Sequence, residues 1–202
     1  MSRQILVLAS TSPRRISLLK HLGMPFEAFD PGDAENSVAL DPVEHVREHA
    51  QCKAEAVAEK YPNRLVVAAD TIVVLDGKII EKPRSTGEAK AMLRALCGRT
   101  HTVISAITVV KRDEGHSDTR IEETRVMMKK LSDEEIDTYV STGEPMDKAG
   151  AYAAQGIGAI IIERVEGCFY NIVGLPMSLL HDMLKDAGIN TLTEWNNPFS
   201  PI

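Results

Sequence analysis

The sequence predicts a mixed α/β protein with a partly antiparallel, twisted sheet flanked by helices. An apolar run at 5–9 leads directly into a helix start, as in a βα unit. Two stretches rich in β-branched residues, 100–110 and 121–130, flank a charged loop, which is typical of a long antiparallel pair. Helix-start signals lie between the strand segments. Together these features favour a mixed sheet over a purely parallel one.

The first third of the chain predicts alternating strands and helices. A strand at about 4–9 leads into a helix from Pro13 to about Leu22. Residues 41–59 begin with Asp-Pro-Val-Glu, which combines an N-cap, a first-turn proline and a first-turn acid, and predict a long helix. Residues 65–69 are too few for a helix and lack polar alternation, so they predict a buried strand with Asp70 at its carboxyl end.

A hairpin follows that strand. Residues 71–75 and 78–81 flank an Asp-Gly pair at 76–77, the composition that a two-residue type I′ turn requires. Continued outward, the register of such a hairpin places Thr71 opposite Lys82. Two residues far apart in the chain are therefore expected to be neighbours.

The remaining elements also carry local signals. Capping-box patterns open helices at 85–97 and 132–143, and a proline opens another at 176–187. A loop-rich segment at 143–158 and a strand at 159–164 lie between the last two helices. The strand order is not readable from one sequence.

Composition limits the classes of function. The 202 residues, 44% of them hydrophobic, can form one large α/β domain or one core with a second lobe, and 191–202 reads as a loosely held tail. A net charge of −6 argues against a nucleic-acid-binding protein, which needs an extended basic face. Three widely spaced cysteines suggest neither a disulfide framework nor a zinc site. With no signal-peptide pattern or membrane-length apolar run, we expect a soluble cytoplasmic protein that binds no membrane.

The junction of the first strand and helix has the residues of a polyphosphate site. A helix N-terminus presents free backbone N–H groups and the positive end of the helix dipole, and Arg14 and Arg15 add full charges there. Ser12 is a candidate N-cap and Pro13 suits the first helical position. The alternative is an ordinary surface helix whose arginines face solvent.

Further candidates for phosphate chemistry are scattered along the chain. Asp70 suits a divalent cation or the orientation of an attacking water, although an aspartate at a strand end commonly only caps a turn. Glu35 is a second acid, and the lysines are point charges suited to phosphate oxygens: Lys53, Lys82 and Lys148. Gln155 offers both a donor and an acceptor, which suits the imide of uracil or thymine. His45 and His49 have metal-compatible spacing but no third ligand, so a solvated helix face is expected.

Several motifs occur in an order that resembles the Maf family of nucleoside triphosphate pyrophosphatases. The segments span nearly the whole chain, which makes the resemblance far more specific than any one motif. They are Leu8-Ala-Ser-Thr-Ser-Pro-Arg-Arg15, Ala69-Asp-Thr-Ile-Val73, Glu81-Lys-Pro-Arg84, Asp147-Lys-Ala-Gly-Ala-Tyr152 with Gln155-Gly156, and Val173-Gly-Leu-Pro176.

The resemblance implies an inosine-triphosphatase-like fold, one domain of two lobes around a central cleft, and a Mg²⁺ or Mn²⁺ cofactor. Asp70 matches the catalytic acid of the family. Positions associated there with phosphate, metal or catalysis are matched by Ser10, Arg15, Glu35, Lys53 and Lys82. A homodimer is expected by frequency and by the resemblance.

Base specificity divides the family into branches. Arg14, Thr71 and Gln155 match the dTTP/UTP-directed branch, whereas the branch directed to 7-methyl-GTP carries tryptophan, glutamine and glutamate at these positions. Ser17 departs from the glutamate that many members of the first branch have. The implied reaction is hydrolysis of dTTP or UTP to the monophosphate and pyrophosphate, with Asp70 and Lys82 as catalytic groups and Asp70 and Glu35 as metal ligands. Two alternatives stay open: a pyrophosphatase for a modified purine nucleotide, and a regulatory factor in cell division.

Overall fold

The computed structural model describes residues 5–34, 37 and 39–194. The strands within these ranges are β1 Leu6–Ala9, β2 Phe26–Phe29, β3 Val66–Leu75, β4 Lys78–Ile80, β5 Thr100–Lys111, β6 His116–Met128 and β7 Ile162–Glu166. The α-helices are α1 Pro13–His21, α2 Pro42–Ala58, α3 Thr86–Leu96, α4 Asp133–Ser141, α5 Phe169–Val173, α6 Met177–Asp186 and α7 Thr191–Glu194. Turns of 3₁₀ helix occupy Arg112–Glu114, Glu144–Asp147, Ala149–Ala151 and Gly156–Ile161.

The seven described strands form one mixed sheet. Its order is β2-β1-β3-β5-β6-β7, and β4 pairs with β3. The β1 strand runs parallel to β2 and β3, whereas every other pairing is antiparallel. The mixed α/β fold expected from the sequence is therefore confirmed.

The central strand β3 has one edge that is interrupted. Its other edge pairs continuously with β5 from Val66 to Val74. On the interrupted edge, β1 pairs at Val66 and Val67, and β4 pairs from Val73 to Leu75. Within the described ranges, no strand ladder covers 68–72 on this edge. The backbone between β1 and β4 is consequently open to a ligand, at a point where the sheet changes from parallel to antiparallel pairing.

Alternation along β3 sends its side chains into different cores. On one face, Ile72 packs with Val46 and Ala50 of α2. On the opposite face, Val67 packs with residues of α1 and α6, and Val73 packs with residues of α3 and α4. The interrupted edge thus lies where helices on both faces of the sheet converge.

The hairpin is present with its expected turn. Leu75 pairs with Lys78, and Asp76 and Gly77 have φ values of 51° and 74°, as a type I′ turn requires. Thr71 and Lys82, however, are not paired, because the β3–β4 ladder ends at Ile80. Thr71 lies opposite Ser105 of β5 instead.

Three expectations about strands need correction. Residues 65–69 and 71–75 belong to one continuous strand, because pairing with β5 holds the backbone extended through Asp70. The charged loop shortens to 112–115, because the polar start of β6 also pairs with β5. Part of the strand expected at 159–164 is instead the 3₁₀ turn Gly156–Ile161, so β7 begins at Ile162.

The expected long helices are confirmed within one or two residues of their bounds. Asp41 caps α2 by accepting hydrogen bonds from the backbone N–H groups of Val43 and Glu44. Ser132 and Glu135 form the reciprocal capping box of α4. The division into two lobes stays a prediction, and 195–202 lies outside the described residues. Among the described helices, none combines the length and apolarity needed to span a bilayer.

Candidate active site

A cleft of about 1110 Å³ opens at the interrupted edge of β3. The start of α1, one face of α2 and residues 144–156 form its walls. Every described site candidate lines this cleft: Ser10, Arg14, Arg15, Lys53, Asp70, Thr71, Lys82, Lys148 and Gln155. Glu35 lies outside the described residues, so its role as a metal ligand stays a prediction.

Asp70 lies in the middle of β3, with a carboxylate that is almost completely buried. The expectation that it ends a strand is wrong, because β5 pairs across it at Ala106. Lys53 of α2 donates to Asp70 Oδ1 from Nζ at 2.7 Å. His49 Nδ1 lies 3.5 Å from Asp70 Oδ2. Asp70 is thus not a turn cap but the centre of a buried charged cluster.

The surroundings of Asp70 keep its carboxylate ionised at neutral pH. Burial by itself raises the pKa of Asp70, because it disfavours the charged form. The hydrogen bond with His49 and the positive charges of Lys53 and Arg15 outweigh burial and hold the pKa well below its ordinary value. An ionised, partnered carboxylate is suited to bind a cation or to orient water.

Thr71 projects from the opposite face of β3 and helps to fix Arg15. The Arg15 guanidinium donates to the Gly174 carbonyl at 2.8 Å through Nε and to Thr71 Oγ1 at 3.3 Å through Nη2. Thr71 Oγ1 also lies 2.8 Å from Ser105 Oγ. These contacts orient a cation at the cleft from the side opposite Lys53.

The turn into α1 is organised by Ser10 and not by Ser12. Ser10 is 5% exposed, and its hydroxyl accepts a hydrogen bond from the Ser12 backbone N–H at 3.1 Å. Ser12 occupies the N-cap position but makes no capping hydrogen bond with its side chain. The expected Ser12 cap is therefore wrong, although Pro13 does begin the helix.

The opposite wall of the cleft contributes Asp147 and Lys148. Arg14 Nη1 lies 2.9 Å from Asp147 Oδ2, so an ion pair links α1 to this wall. Lys148 Nζ donates to Asp147 Oδ1 at 2.5 Å and to the Glu144 carbonyl at 2.8 Å. Two cations thus flank one carboxylate at the rim of the cleft.

Lys82 reaches the cleft by a different route from the expected one. The chain leaves the β-ladder after Ile80, and the Glu81 carbonyl accepts a hydrogen bond from Gly150 N–H at 3.1 Å. This bond ties the end of the hairpin to the 3₁₀ turn Ala149–Ala151. Lys82 is exposed on the cleft wall as a result.

His49 was missed as a site residue. Its side chain is 12% exposed and faces Asp70, so the expectation of a solvated histidine is wrong. The His45 ring lies 4.2 Å from the His49 ring and also lines the cleft. The four-residue spacing from His49 to Lys53 places both side chains on one face of α2, and this signal would have grouped them.

The described residues do not form a complete metal site by themselves. No group of three His, Cys, Asp or Glu side chains within the described ranges could hold a metal ion. Mg²⁺ in nucleotide enzymes is, however, commonly held by one or two protein carboxylates together with substrate phosphates. The ionised Asp70, in a cleft lined by several arginines and lysines, fits that kind of shared coordination.

Fold and site together define a class of protein. A mixed sheet opens between a parallel and an antiparallel neighbour, and the opening holds a buried carboxylate surrounded by cations from both faces. This is the construction of an α/β protein that handles a polyanionic substrate at a central carboxylate.

The comparisons with known proteins give the family. The model of the family described as Maf-like protein matches residues 5–187, and the chain belongs to the Maf family. It is 46% identical to the dTTP/UTP pyrophosphatase of Dictyoglomus thermophilum over 95% of this chain and 100% of that protein. It is 48% identical to the dTTP/UTP pyrophosphatase of Thermoanaerobacter sp. over 89% of this chain and 95% of that protein.

A solved structure supports the fold. The Staphylococcus aureus Ham1 protein matches 91% of this chain and 100% of its own with a TM-score of 0.54. Its sequence identity of 16% limits the likeness to the fold. The expectation of an inosine-triphosphatase-like α/β architecture agrees with this match.

Proposed function

We propose that this protein is a nucleoside triphosphate pyrophosphatase that hydrolyses dTTP and UTP to the nucleoside monophosphate and pyrophosphate. The observation that carries the proposal is the buried Asp70 carboxylate, held by Lys53 and His49 at the floor of a cleft rich in arginine and lysine. The relatives that bear the name dTTP/UTP pyrophosphatase match nearly the whole chain. The site and the relatives therefore support the same reaction.

The positively charged side chains of the cleft have different roles in this proposal. Arg15 is held by Thr71 and Gly174 and is ready to bind a phosphate oxygen without further ordering. Lys82 and Lys148 lie on the opposite wall, where flexible stems let their ammonium groups follow the leaving pyrophosphate. Positive charge placed where negative charge develops lowers the barrier to phosphoryl transfer.

Asp70 orients the attacking water and would be one carboxylate ligand of a divalent metal. The metal, with Asp70 as its described protein ligand and Glu35 as a further candidate, would supply charge neutralisation across the phosphates. While Lys53 and His49 hold Asp70, the low pKa makes the carboxylate a weak proton acceptor. A shift of Lys53 toward a substrate phosphate would raise the basicity of Asp70 at the moment when water must be activated.

Selection of the base falls to the wall that carries Gln155. Its side chain is exposed on the cleft, where a carboxamide can both donate to and accept from the imide edge of uracil or thymine. Arg14 lies at the same rim through its ion pair with Asp147. Thr71 acts indirectly by orienting Arg15.

The protein is further proposed to act on free nucleotides in the cytoplasm as a homodimer, without binding nucleic acid or membrane. Its net charge of −6 opposes binding to a polyanion, whereas a local cluster of cations suffices for a nucleotide. Sedimentation of the purified protein tests the dimer directly.

The test of the reaction is pyrophosphate release from a panel of dTTP, UTP, CTP, GTP, 7-methyl-GTP and ITP with Mg²⁺ or Mn²⁺. Preferential cleavage of dTTP and UTP into monophosphate and pyrophosphate supports the proposal. Preference for a purine would keep the enzyme class and overturn the role of Gln155. Absence of turnover on every nucleotide would favour a regulatory factor in cell division.

A further inference from the structure

Glu144 is the first residue of the 3₁₀ turn Glu144–Asp147. Its carboxylate lies against the backbone of the loop that carries Gln155. The side chain is partly buried and lines the cleft. The roles proposed above for phosphate, metal and base do not use it. A carboxylate in a cleft that binds a polyanion opposes binding through its charge, so its presence there needs a reason.

The Glu144 carboxylate accepts three hydrogen bonds from its surroundings. Ile157 N–H donates to Oε1 at 3.0 Å, and Gly158 N–H donates to Oε2 at 2.7 Å. The Tyr139 hydroxyl also donates to Oε2 at 2.7 Å. Burial and this bond to Glu144 raise the pKa of Tyr139, so the hydroxyl stays protonated and remains a donor.

Tyr139 extends the network to the other side of Gln155. Its hydroxyl accepts a hydrogen bond from Ala153 N–H at 3.1 Å. The backbone is thus tied two residues before Gln155 through Tyr139 and two residues after it directly by Glu144. The carboxamide of Gln155 makes no hydrogen bond to the described part of the chain, which leaves it available to a ligand.

Two glycines leave the space that this arrangement requires. A Cβ on Gly156 would lie 2.2 Å from Glu144 Oε1, and a Cβ on Gly158 would lie 2.5 Å from the Tyr139 hydroxyl. A Cβ essentially never makes non-bonded contacts this short, so the missing side chain at Gly156 lets the loop approach the Glu144 carboxylate, and the missing side chain at Gly158 lets it approach the Tyr139 hydroxyl. The sequence Gln-Gly-Ile-Gly therefore permits the close approach of both Glu144 and Tyr139 to the backbone.

We propose that Glu144 is a positioning residue that fixes the backbone on both sides of Gln155 and thereby sets the selectivity for uracil and thymine over cytosine. The inference rests on the proposed function, because it assigns Gln155 to the base. Glu144 acts through Gln155 and does not contact the substrate. The three hydrogen-bond donors stabilise its charge.

UTP and CTP are the informative pair of substrates. They share ribose and triphosphate and differ in the hydrogen-bonding edge of the base, where uracil has an imide and cytosine has an amine with an unprotonated ring nitrogen. A displaced Gln155 would lose its hydrogen bonds to the imide and leave the phosphate contacts in place. The ratio of kcat/KM for UTP to kcat/KM for CTP therefore isolates the position of Gln155.

Four variants separate positioning from general stability. Glu144→Gln removes acceptor capacity at nearly constant volume, and Tyr139→Phe removes the link to Ala153. Gln155→Ala removes the group that is positioned. Glu134→Gln is the matched control, because Glu134 lies on α4 with an exposed side chain and uses its backbone carbonyl to bond Thr138.

The Glu144→Gln variant should lower the UTP/CTP ratio about tenfold, the value of one well-made hydrogen bond, mainly through KM for UTP. Tyr139→Phe should lower the ratio less, and the control should leave it within about twofold. Because Glu144 acts through Gln155, the double variant Glu144→Gln/Gln155→Ala should match Gln155→Ala alone. Faster amide hydrogen exchange at Ile157 and Gly158 in Glu144→Gln, but not in the control, should accompany the change.

Other outcomes would overturn the inference. An unchanged ratio, or an equal loss on UTP and CTP, would show a role in stability or chemistry alone. A double variant worse than Gln155→Ala alone would show that Glu144 acts independently of Gln155. If the unaltered protein cleaved no pyrimidine nucleotide, the proposed function would fail, and the same ratio would be measured as binding of non-hydrolysable UTP and CTP analogues.

Discussion

The two walls of the cleft are built by different means. On the sheet side, Asp70 and Thr71 lie on a strand that pairs with β5 from Val66 to Val74, and Lys53 lies on the regular helix α2. On the loop side, 144–158 consists of short 3₁₀ turns held by bonds from side chains to the backbone. Backbone pairing therefore fixes the first wall, here called the sheet wall. A few side chains fix the second, here called the loop wall.

This difference indicates that the two walls have different functions. Phosphoryl transfer needs charged groups at constant positions, which a central strand packed on both faces provides. Recognition of the base needs a surface that can change without disturbing the chemistry, which a loop held by one carboxylate provides. We therefore expect variants in the sheet wall to change rate and variants in the loop wall to change selectivity.

Loss of the Asp70 charge should have the largest effect. Asp70→Asn should lower kcat/KM for UTP by about 10² to 10⁴, because the group that orients water and contributes to metal binding is removed. The strand should remain paired, because its backbone forms the ladder with β5, and an asparagine oxygen can still accept a hydrogen bond from Lys53. Pyrophosphate release measures the rate, and circular dichroism checks the fold. Full turnover by a folded variant would show that the sheet wall does not carry the chemistry.

The same carboxylate should make stability depend on pH. The pKa of Asp70 is lowered from its ordinary value of 3.8, so the folded state favours the ionised form. Its stabilisation is complete above the unfolded pKa and is lost as the pH falls below about 4 toward the folded pKa. Urea unfolding at pH 7 and pH 3 should show a larger loss for the unaltered protein than for Asp70→Asn. Equal losses would place Asp70 outside the charged cluster.

Removal of the helix cap of α2, away from the cleft, should lower the free energy of unfolding and leave the catalytic rate unchanged. Asp41→Ala removes the N-cap of α2 and should cost about 1 kcal/mol of unfolding free energy. Because packing against β3 holds the helix in place, kcat and KM for UTP at 25 °C should stay within about twofold. Thermal melting and steady-state kinetics measure the two quantities. A large rise in KM would mean that the positions of Lys53 and His49 depend on the cap.

The rim of the loop wall should give the smallest effect. Although partial burial raises its pKa, Lys148 and Arg14 together hold Asp147 below the ordinary value, so it is charged at neutral pH. Asp147→Asn removes the ion pairs that hold Arg14 and Lys148 and also removes a repulsive charge, so KM for UTP should fall about two- to fivefold. The unfolding free energy should change by less than about 1 kcal/mol. An increased KM would instead assign Asp147 to substrate binding.

The elements of the sheet wall are largely predictable from the sequence, because each is indicated by a local sequence pattern. The Asp-Gly turn at 76–77, the cap at Asp41 and the apolar run before Asp70 each predict an element without reference to distant residues. The division of β3 was wrong because Asp70 and Thr71 interrupt an apolar pattern, whereas pairing with β5 decides the backbone. Pairing between distant strands is not encoded within a local window.

The arrangement of the loop wall is not predictable in the same way. Residue type identifies Gln155 and Lys148 as candidates, but their arrangement depends on contacts from Glu144 and Tyr139 to backbone groups up to 14 residues away. Hydrogen bonds between a side chain and a distant backbone leave no periodicity. His49 is not identifiable from the sequence for another reason: its spacing from Lys53 is local, but its proximity to Asp70 exists only when α2 packs on β3.

The assignment of chemistry to the sheet wall and of base selection to the loop wall is tested most directly by measuring kcat/KM for UTP and CTP with Asp70→Asn and Gln155→Ala. Asp70→Asn should lower both values by a similar factor and leave their ratio unchanged. Gln155→Ala should lower the ratio about tenfold and retain most of the turnover of CTP. A changed ratio in Asp70→Asn, or an equal loss on both nucleotides in Gln155→Ala, would contradict the assignment of chemistry to one wall and selection to the other.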